Sequence, residues 1–149
     1  MKIEGSHQVP AARAAVWRVL MDPAALQRSI PGCQKLEATG PNAYRATIKA
    51  GVGAIKGTFT GDLAISDVVP EKSYTLTSHT KAPMGFVEGK GRVELEDAGE
   101  QTVVRYTGEV KIGGLLASVG ERLIDAAARK NISEIFANLA REAAQSASP

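Results

Sequence analysis

The most constraining feature of the sequence is a change of hydrophobic period close to residue 113. Between residues 33 and 112, apolar and polar residues alternate in six segments, which is the pattern of β-strands with one buried face. After Gly113 and Gly114 the period becomes that of an α-helix for about 30 residues. Short turn-forming sequences separate the six segments, so the pattern predicts an antiparallel meander followed by one long amphipathic helix.

The chain before the meander predicts one more strand and two short helices. Residues 2–8 are predicted to form the strand, and a helix follows over residues 11–21. A second helix is expected to start at Asp22 and Pro23, because Asp caps helix N-termini and Pro is tolerated in the first turn. The predicted fold is therefore α+β, with a seven-stranded curved antiparallel sheet wrapped around a long C-terminal helix.

The apolar stripe of the long helix is predicted to face the sheet. Its members are Leu116, Val119, Leu123, Ala127, Ile132, Ile135, Phe136 and Leu139.

The length and charge of the chain limit its domain organisation and its partners. A chain of 149 residues is expected to form a single domain, residues 1–149, with a frayed tail at residues 145–149. A net charge of +2 gives no support for a nucleic-acid partner. One cysteine, no apparent signal sequence and no long apolar segment favour a cytoplasmic protein.

The turns differ in polarity in a regular way. Four connections carry almost no charge, Lys81 being the exception, whereas three others are acidic. The uncharged connections are residues 29–33, 50–54, 80–86 and 113–118, and the acidic ones are residues 37–42, 67–72 and 97–101. Successive turns of a meander alternate between its two ends, so all four uncharged connections should share one end. We call this end the apolar mouth.

Glycines inside the predicted strands share the phase of the inward-facing apolar residues. They are Gly57, Gly61, Gly89, Gly91 and Gly108. Glycine weakens a strand, so each position needs a reason. Two reasons stay open: the glycines allow the sheet to curve beneath the helix, or they leave an internal cavity for an apolar ligand.

A cavity that opens at the apolar mouth would be lined by inward residues of the sheet, the mouth and the start of the helix. The predicted ligand-binding residues are Ile30, Cys33, Ile48, Val52, Ile55, Phe59, Leu76, Met84, Phe86, Tyr106, Leu115, Leu116, Val119 and Leu123.

The sequence offers little catalytic or metal-binding chemistry. His7, His79 and Cys33 lack the spacing of metal ligands, so we predict no metal site. A thiol dyad of Cys33 and His79 lacks an orienting carboxylate. Asp125 and Arg129 are expected to form a surface ion pair. We therefore predict no catalytic residues, while Trp17 and Phe136 are expected to pack between helices.

Four segments of the sequence resemble a known family. They are IPGC (residues 30–33), GVGAIKGTFTG (51–61), SYTLT (73–77) and GERLIDAAARK (120–130). The chain is similar through them to the family of the carbon monoxide dehydrogenase G protein, within the START-like (SRPBCC) helix-grip superfamily. Polyketide cyclases and the birch-pollen allergen share that superfamily. The resemblance implies a helix-grip fold of seven strands around a long helix.

The resemblance also implies an accessory, non-catalytic role beside a molybdenum hydroxylase of the carbon monoxide dehydrogenase type. Such a protein would assist membrane recruitment or maturation of the hydroxylase, and its cavity would hold a quinone or a lipid. It implies no cofactor of the protein's own. Some members carry a C-terminal extension thought to reach the membrane. This sequence ends at Pro149, so we expect at most a peripheral membrane contact.

Three hypotheses of function stay open, and none predicts an oligomeric state. The first is a protein that binds a lipophilic small molecule. The second is an enzyme that resembles aromatic cyclases or hydrolases, with Tyr44, Tyr74 and Tyr106 as inward polar candidates. The third is a docking module whose apolar mouth meets a hydroxylase subunit, for which Leu116→Glu would abolish binding and preserve the fold.

Overall fold

The computed structural model describes residues 1–147 and contains the predicted elements in the predicted order. They are β1 (Lys2–Val9), α1 (Arg13–Leu20), α2 (Pro23–Ser29), β2 (Cys33–Gly40), β3 (Ala43–Val52), β4 (Ile55–Val69), β5 (Ser73–Ala82), β6 (Gly85–Ala98), β7 (Gln101–Gly113), a 3-10 helix (Gly114–Val119) and α3 (Glu121–Ala147). The predicted frayed tail, residues 145–149, lies partly in α3 and partly outside the described residues.

All seven strands form one antiparallel sheet in the order β1-β7-β6-β5-β4-β3-β2. The predicted meander and fold class are thus confirmed. Three strands are longer than the sequence pattern suggests, because β4, β6 and β7 contain 15, 14 and 13 residues. Strands of such length must bend to stay around one helix, and glycines interrupt their apolar alternation.

The two short helices begin and end where their sequences dictate. The Asp22 side chain accepts a hydrogen bond from the backbone N–H of Ala24 at 3.0 Å, and Pro23 occupies the first turn of α2. Val16 and Val19 of α1 are buried in the main core, as their shared face predicts. The Thr102 hydroxyl donates to the carbonyl oxygen of Ala11 at 2.8 Å, which ties the start of α1 to β7.

The long helix differs from its prediction at its beginning. A 3-10 helix comes first, and Gly120, with φ of +93°, separates it from α3. The phase of the buried stripe shifts across this break. Ile124 is buried, whereas Leu123 is 51% exposed, so the prediction of Leu123 on the inward stripe was wrong. A single period extended across a glycine in the left-handed region cannot detect such a break.

The four uncharged connections lie at one end of the sheet and are linked to one another. The backbone N–H of Lys49 donates to the carbonyl oxygen of Gly32 at 2.9 Å, and that of Leu116 donates to Met84 at 2.9 Å. The Met84 thioether covers Gly57 of β4, because a Cβ on that glycine would overlap it. The apolar mouth is therefore one continuous surface.

Candidate functional site

An internal cavity of about 310 Å³ lies between the sheet and the second half of α3. Its sheet side is formed by β5, β6 and β7, and its helix side by Ile132, Ile135, Phe136 and Leu139. Leu20, Leu26 and Ile30, from α1, α2 and the connection after it, close a third side. These walls are mostly apolar, which suits an apolar occupant.

The position of the cavity follows from strand register. Tyr74, Val93 and Tyr106 stand directly opposite one another on β5, β6 and β7 and form one inward row of side chains. The next inward row toward the apolar mouth contains Leu76, Gly91 and Gly108. The row after it contains Ser78, Gly89 and Val110. Three glycines in two adjacent rows remove the side chains that would otherwise fill the space beneath α3.

The same inward glycines also permit close approach of strands. A Cβ on Gly61 would lie 2.6 Å from the Cα of Thr80 on β5, so no side chain fits there. Gly91 and Gly108 face each other, and a Cβ on either would lie 3.3 or 3.0 Å from the Cα of its partner. Curvature and an internal cavity therefore both account for the glycines, and Gly89 serves the cavity alone.

A larger, more open hollow of about 730 Å³ adjoins the cavity. It lies between the edge of β7 and the region where the 3-10 helix passes into α3, with Ile112, Ala117 and Ile124 in its walls. The cavity and the hollow share Gly89 and Val110 in their walls. The hollow thus offers a route from the surface toward the cavity.

Hydroxyl groups are the main polar features of the cavity. Tyr74 lies in its wall and is 6% exposed, and burial raises the pKa of its phenol. Tyr106 belongs to an aromatic stack in which His7 lies 4.7 Å from Phe136 and 6.0 Å from Tyr106, measured between ring centroids. Phe136 was expected between helices, but its ring packs against β1 and β7 instead.

The charged residues beside the cavity occupy outward positions of their strands. Lys90, Arg92 and Glu109 alternate with the inward residues, and their side chains are exposed. The Arg92 guanidinium donates to the Ser73 hydroxyl at 2.7 Å on the outer face. The cavity therefore gains no counter-charge from these three side chains.

Three of the predicted ligand-binding residues line the cavity, namely Ile30, Leu76 and Tyr106. Cys33 and Ile48 pack beside the main core, and Phe59 and Leu116 are buried elsewhere. Val52, Ile55, Met84, Phe86 and Val119 are partly buried outside the cavity wall. Leu115 and Leu123 are 63% and 51% exposed. The role of all these residues in ligand binding stays a prediction.

Sequence reasoning missed most of the cavity wall because it located the site from the turns. The better signal was already present in the register of the strand glycines, which places Gly89, Gly91 and Gly108 together. The helix residues opposite them, including Ile132 and Ile135, belong to the predicted stripe but were not chosen as site residues.

The weaker chemical candidates are separated by the fold. Cys33 pairs with Ile48 on the inner face, and burial raises the pKa of its thiol. His79 is exposed on the outer face, 3.8 Å from Glu88. Arg129 and Asp125 form the predicted ion pair at 2.9 Å. Within residues 1–147, no group of three or more His, Cys, Asp or Glu side chains could hold a metal ion.

No helix within the described residues combines the length and apolar character needed to span a membrane.

Solved structures with the same fold span almost the whole chain. A conserved protein from Geobacillus kaustophilus is 31% identical, with a TM-score of 0.94 over 98% of this chain and 97% of that one. A START superfamily protein from Mycobacterium smegmatis is 10% identical, with a TM-score of 0.74 and 97% coverage of both chains. The Zhui aromatase/cyclase from Streptomyces sp. R1128 is 17% identical, with a TM-score of 0.70 over 97% and 94%.

Comparison with curated proteins gives no match. The family model for the carbon monoxide dehydrogenase protein CoxG matches residues 5–144, which is nearly the whole chain. The resemblance noted in the sequence is confirmed by this match and by the START-like fold of the solved structures. The chain therefore belongs to the CoxG family of carbon monoxide dehydrogenase proteins.

Proposed function

We propose that this protein binds a lipophilic small molecule, such as a quinone or a lipid, in the cavity beneath α3. The observation that carries the proposal is the cavity of about 310 Å³, whose walls are apolar and whose neighbouring charges face outward. This volume is at the lower end of the range for small-molecule sites, roughly 300 to 1,000 Å³. A ligand that buries about 300 Å² of apolar surface would gain roughly 7 kcal/mol before the costs of association.

Ligand binding can be tested by native mass spectrometry of the purified protein and by titration with 2,3-dimethyl-1,4-naphthoquinone. Both reactive ring positions of this quinone are substituted, so it does not add to the Cys33 thiol. Trp17 packs edge-on against Tyr74, with 5.9 Å between ring centroids, so quinone in the cavity should quench its fluorescence.

A cavity-filling variant gives the decisive comparison. A Cβ on Gly89 would meet the Ser78 hydroxyl at 3.2 Å and no closer atom, so Gly89→Leu directs a side chain into the cavity. We expect it to weaken quinone binding at least tenfold, while Gly40→Leu, at an exposed position with open space, leaves binding unchanged. No retained apolar molecule and no quinone binding by the wild type would overturn the proposal.

The family membership supports an accessory role beside a molybdenum hydroxylase of the carbon monoxide dehydrogenase type. The apolar mouth is the surface that we assign to this contact, because Leu115 there is 63% exposed. Leu116 is 3% exposed, so Leu116→Glu would damage the fold and is the wrong test of docking. Peripheral contact of the same surface with a membrane would serve recruitment of the hydroxylase.

Docking can be tested with Leu115→Glu and a matched control. Val69 is 43% exposed at the opposite end of the sheet, so Val69→Glu adds the same charge away from the mouth. Capture of the hydroxylase subunits, or sedimentation with lipid vesicles, should fail for Leu115→Glu and persist for Val69→Glu. Equal behaviour of the two variants would remove the mouth from the accessory role.

The alternative of a cyclase-like or hydrolase-like enzyme draws on the fold shared with an aromatase/cyclase and on Tyr74 in the cavity wall. A general base needs a pKa close to the working pH. Burial moves the pKa of Tyr74 upward, away from neutrality, so this phenol remains protonated. A protonated hydroxyl can donate a hydrogen bond but cannot accept a proton from a substrate, which favours binding over catalysis.

A further inference from the structure

Tyr74 combines burial, a place in the cavity wall and an unused hydrogen-bond donor. It is 6% exposed, and its ring packs against Trp17 of α1. Its hydroxyl makes no hydrogen bond with any residue of the described chain, 1–147. Buried tyrosine hydroxyls usually find a partner, because an unpaired polar group loses its hydration without compensation. The unliganded protein therefore carries a donor that a cavity occupant could satisfy.

The other hydroxyls of the cavity wall are in different surroundings. Tyr106 pairs with Gly5 of β1, and its hydroxyl reaches over that exposed glycine at the edge of the sheet, where water is available. Ser78 stands in the row next to the open hollow and is only half-buried. Tyr74 is thus the deepest hydroxyl in the wall and the least accessible to solvent.

We infer, given the ligand-binding role proposed above, that the Tyr74 hydroxyl donates a hydrogen bond to a carbonyl oxygen of the ligand. The site then selects apolar molecules that carry such an oxygen over hydrocarbons of the same shape. Tyr74 is a specificity-determining residue in this assignment, and the surrounding apolar walls supply most of the affinity.

The surroundings of Tyr74 indicate a neutral acceptor and exclude a charged one. Burial raises the pKa of the phenol, so it acts as a donor throughout the physiological range. A buried carboxylate on the ligand would need a cation beside it. Lys90 and Arg92 occupy outward positions, and Arg92 already contacts Ser73 on the outer face. A ketone, ester or quinone carbonyl meets these conditions.

The test compares two probes of one ring skeleton on three proteins. 2,3-Dimethyl-1,4-naphthoquinone carries carbonyl oxygens, and 2,3-dimethylnaphthalene carries none. Their dissociation constants would be measured by titration of backbone amide resonances for the wild type, Tyr74→Phe and Tyr44→Phe. Tyr44 is a matched control, because it is 8% exposed on the inner face of β3 and does not line the cavity.

We expect Tyr74→Phe to bind the quinone about fivefold to tenfold more weakly than the wild type and the hydrocarbon equally well. Tyr44→Phe should resemble the wild type with both probes. Unliganded Tyr74→Phe should melt at the same temperature as the wild type or higher, because it loses an unpaired buried hydroxyl and no hydrogen bond. This combination separates a ligand contact from a structural role.

Two outcomes would overturn the inference, and they can be told apart. If both probes bind and Tyr74→Phe weakens neither, the protein binds apolar ligands but Tyr74 does not select them. If neither probe binds the wild type, the ligand-binding role fails and the inference fails with it.

Discussion

Gly61→Ala should be among the most damaging single-methyl additions to this sheet. A Cβ at this position would lie 2.6 Å from the Cα of Thr80 and would overlap the carbonyl oxygen of His79, both backbone atoms of the neighbouring strand. Ordinary contacts of this kind begin at 3.4 Å, so β4 and β5 would have to separate. Backbone atoms cannot move aside as the end of a flexible side chain can.

The expected cost can be built from its parts. Overpacking of a well-packed site costs roughly 1 to 3 kcal/mol. Separation of the strands would weaken ladder hydrogen bonds near the Gly61–Thr80 pair, each worth about 1 kcal/mol. We therefore expect Gly61→Ala to lower the free energy of unfolding by about 3 kcal/mol. With a urea slope of about 1.5 kcal/mol per molar, the midpoint would fall by roughly 2 M.

Urea unfolding followed by the fluorescence of Trp17 would measure this change, with Gly40→Ala and Gly89→Ala as comparisons. Gly40 has open space around its Cβ position, so its substitution should change stability by less than about 0.5 kcal/mol. A Cβ on Gly89 would meet only side-chain atoms and one oxygen at 3.2 Å or more, so we expect little loss there. Equal stability of Gly61→Ala and Gly40→Ala would refute the reasoning that curvature requires Gly61.

Three smaller predictions concern helices, each measured by urea unfolding. Ile124→Ala should cost about 2 to 4 kcal/mol and Leu123→Ala less than about 0.5, and the reverse order would contradict the helix phase set at the start of α3. Asp22→Ala should cost about 1 kcal/mol through loss of the α2 cap, and Asp22→Asn should recover most of it. Arg28 lowers the pKa of Glu142, so their contact stabilises the fold above the ordinary carboxyl pKa and is lost as pH falls through the lowered value. Glu142→Gln should therefore flatten the acid side of the stability curve, and an unchanged profile would contradict this.

Most of the fold could be predicted from the sequence because its signals are local. Alternation predicted six strands, and Asp22 followed by Pro23 predicted the start of α2. The break at Gly120 could not be predicted in the same way, because it depends on how the 3-10 helix docks on the β5–β6 turn through Met84 and Leu116. A periodic pattern contains no information about such a long-range contact.

The candidate site was harder to predict than the fold. The turns correctly indicated a shared apolar end, but Ile30 is the one residue of those connections that reaches the cavity wall in the described chain. Cavity position depends on which inward rows lack side chains, and therefore on register between strands that are distant in sequence. Hydrophobic period alone does not give that register.

Curvature and cavity formation coincide in the pair Gly91 and Gly108. These residues face each other, and the absence of both side chains lets β6 and β7 approach closely. The same absence opens the inward row next to Tyr74 and Tyr106. A side chain at either position would therefore both resist the bend and occupy the space beneath α3. Because one pair of glycines has both effects, a substitution there would change stability and ligand binding together, whereas Gly61→Ala should act on stability and Gly89→Leu chiefly on binding.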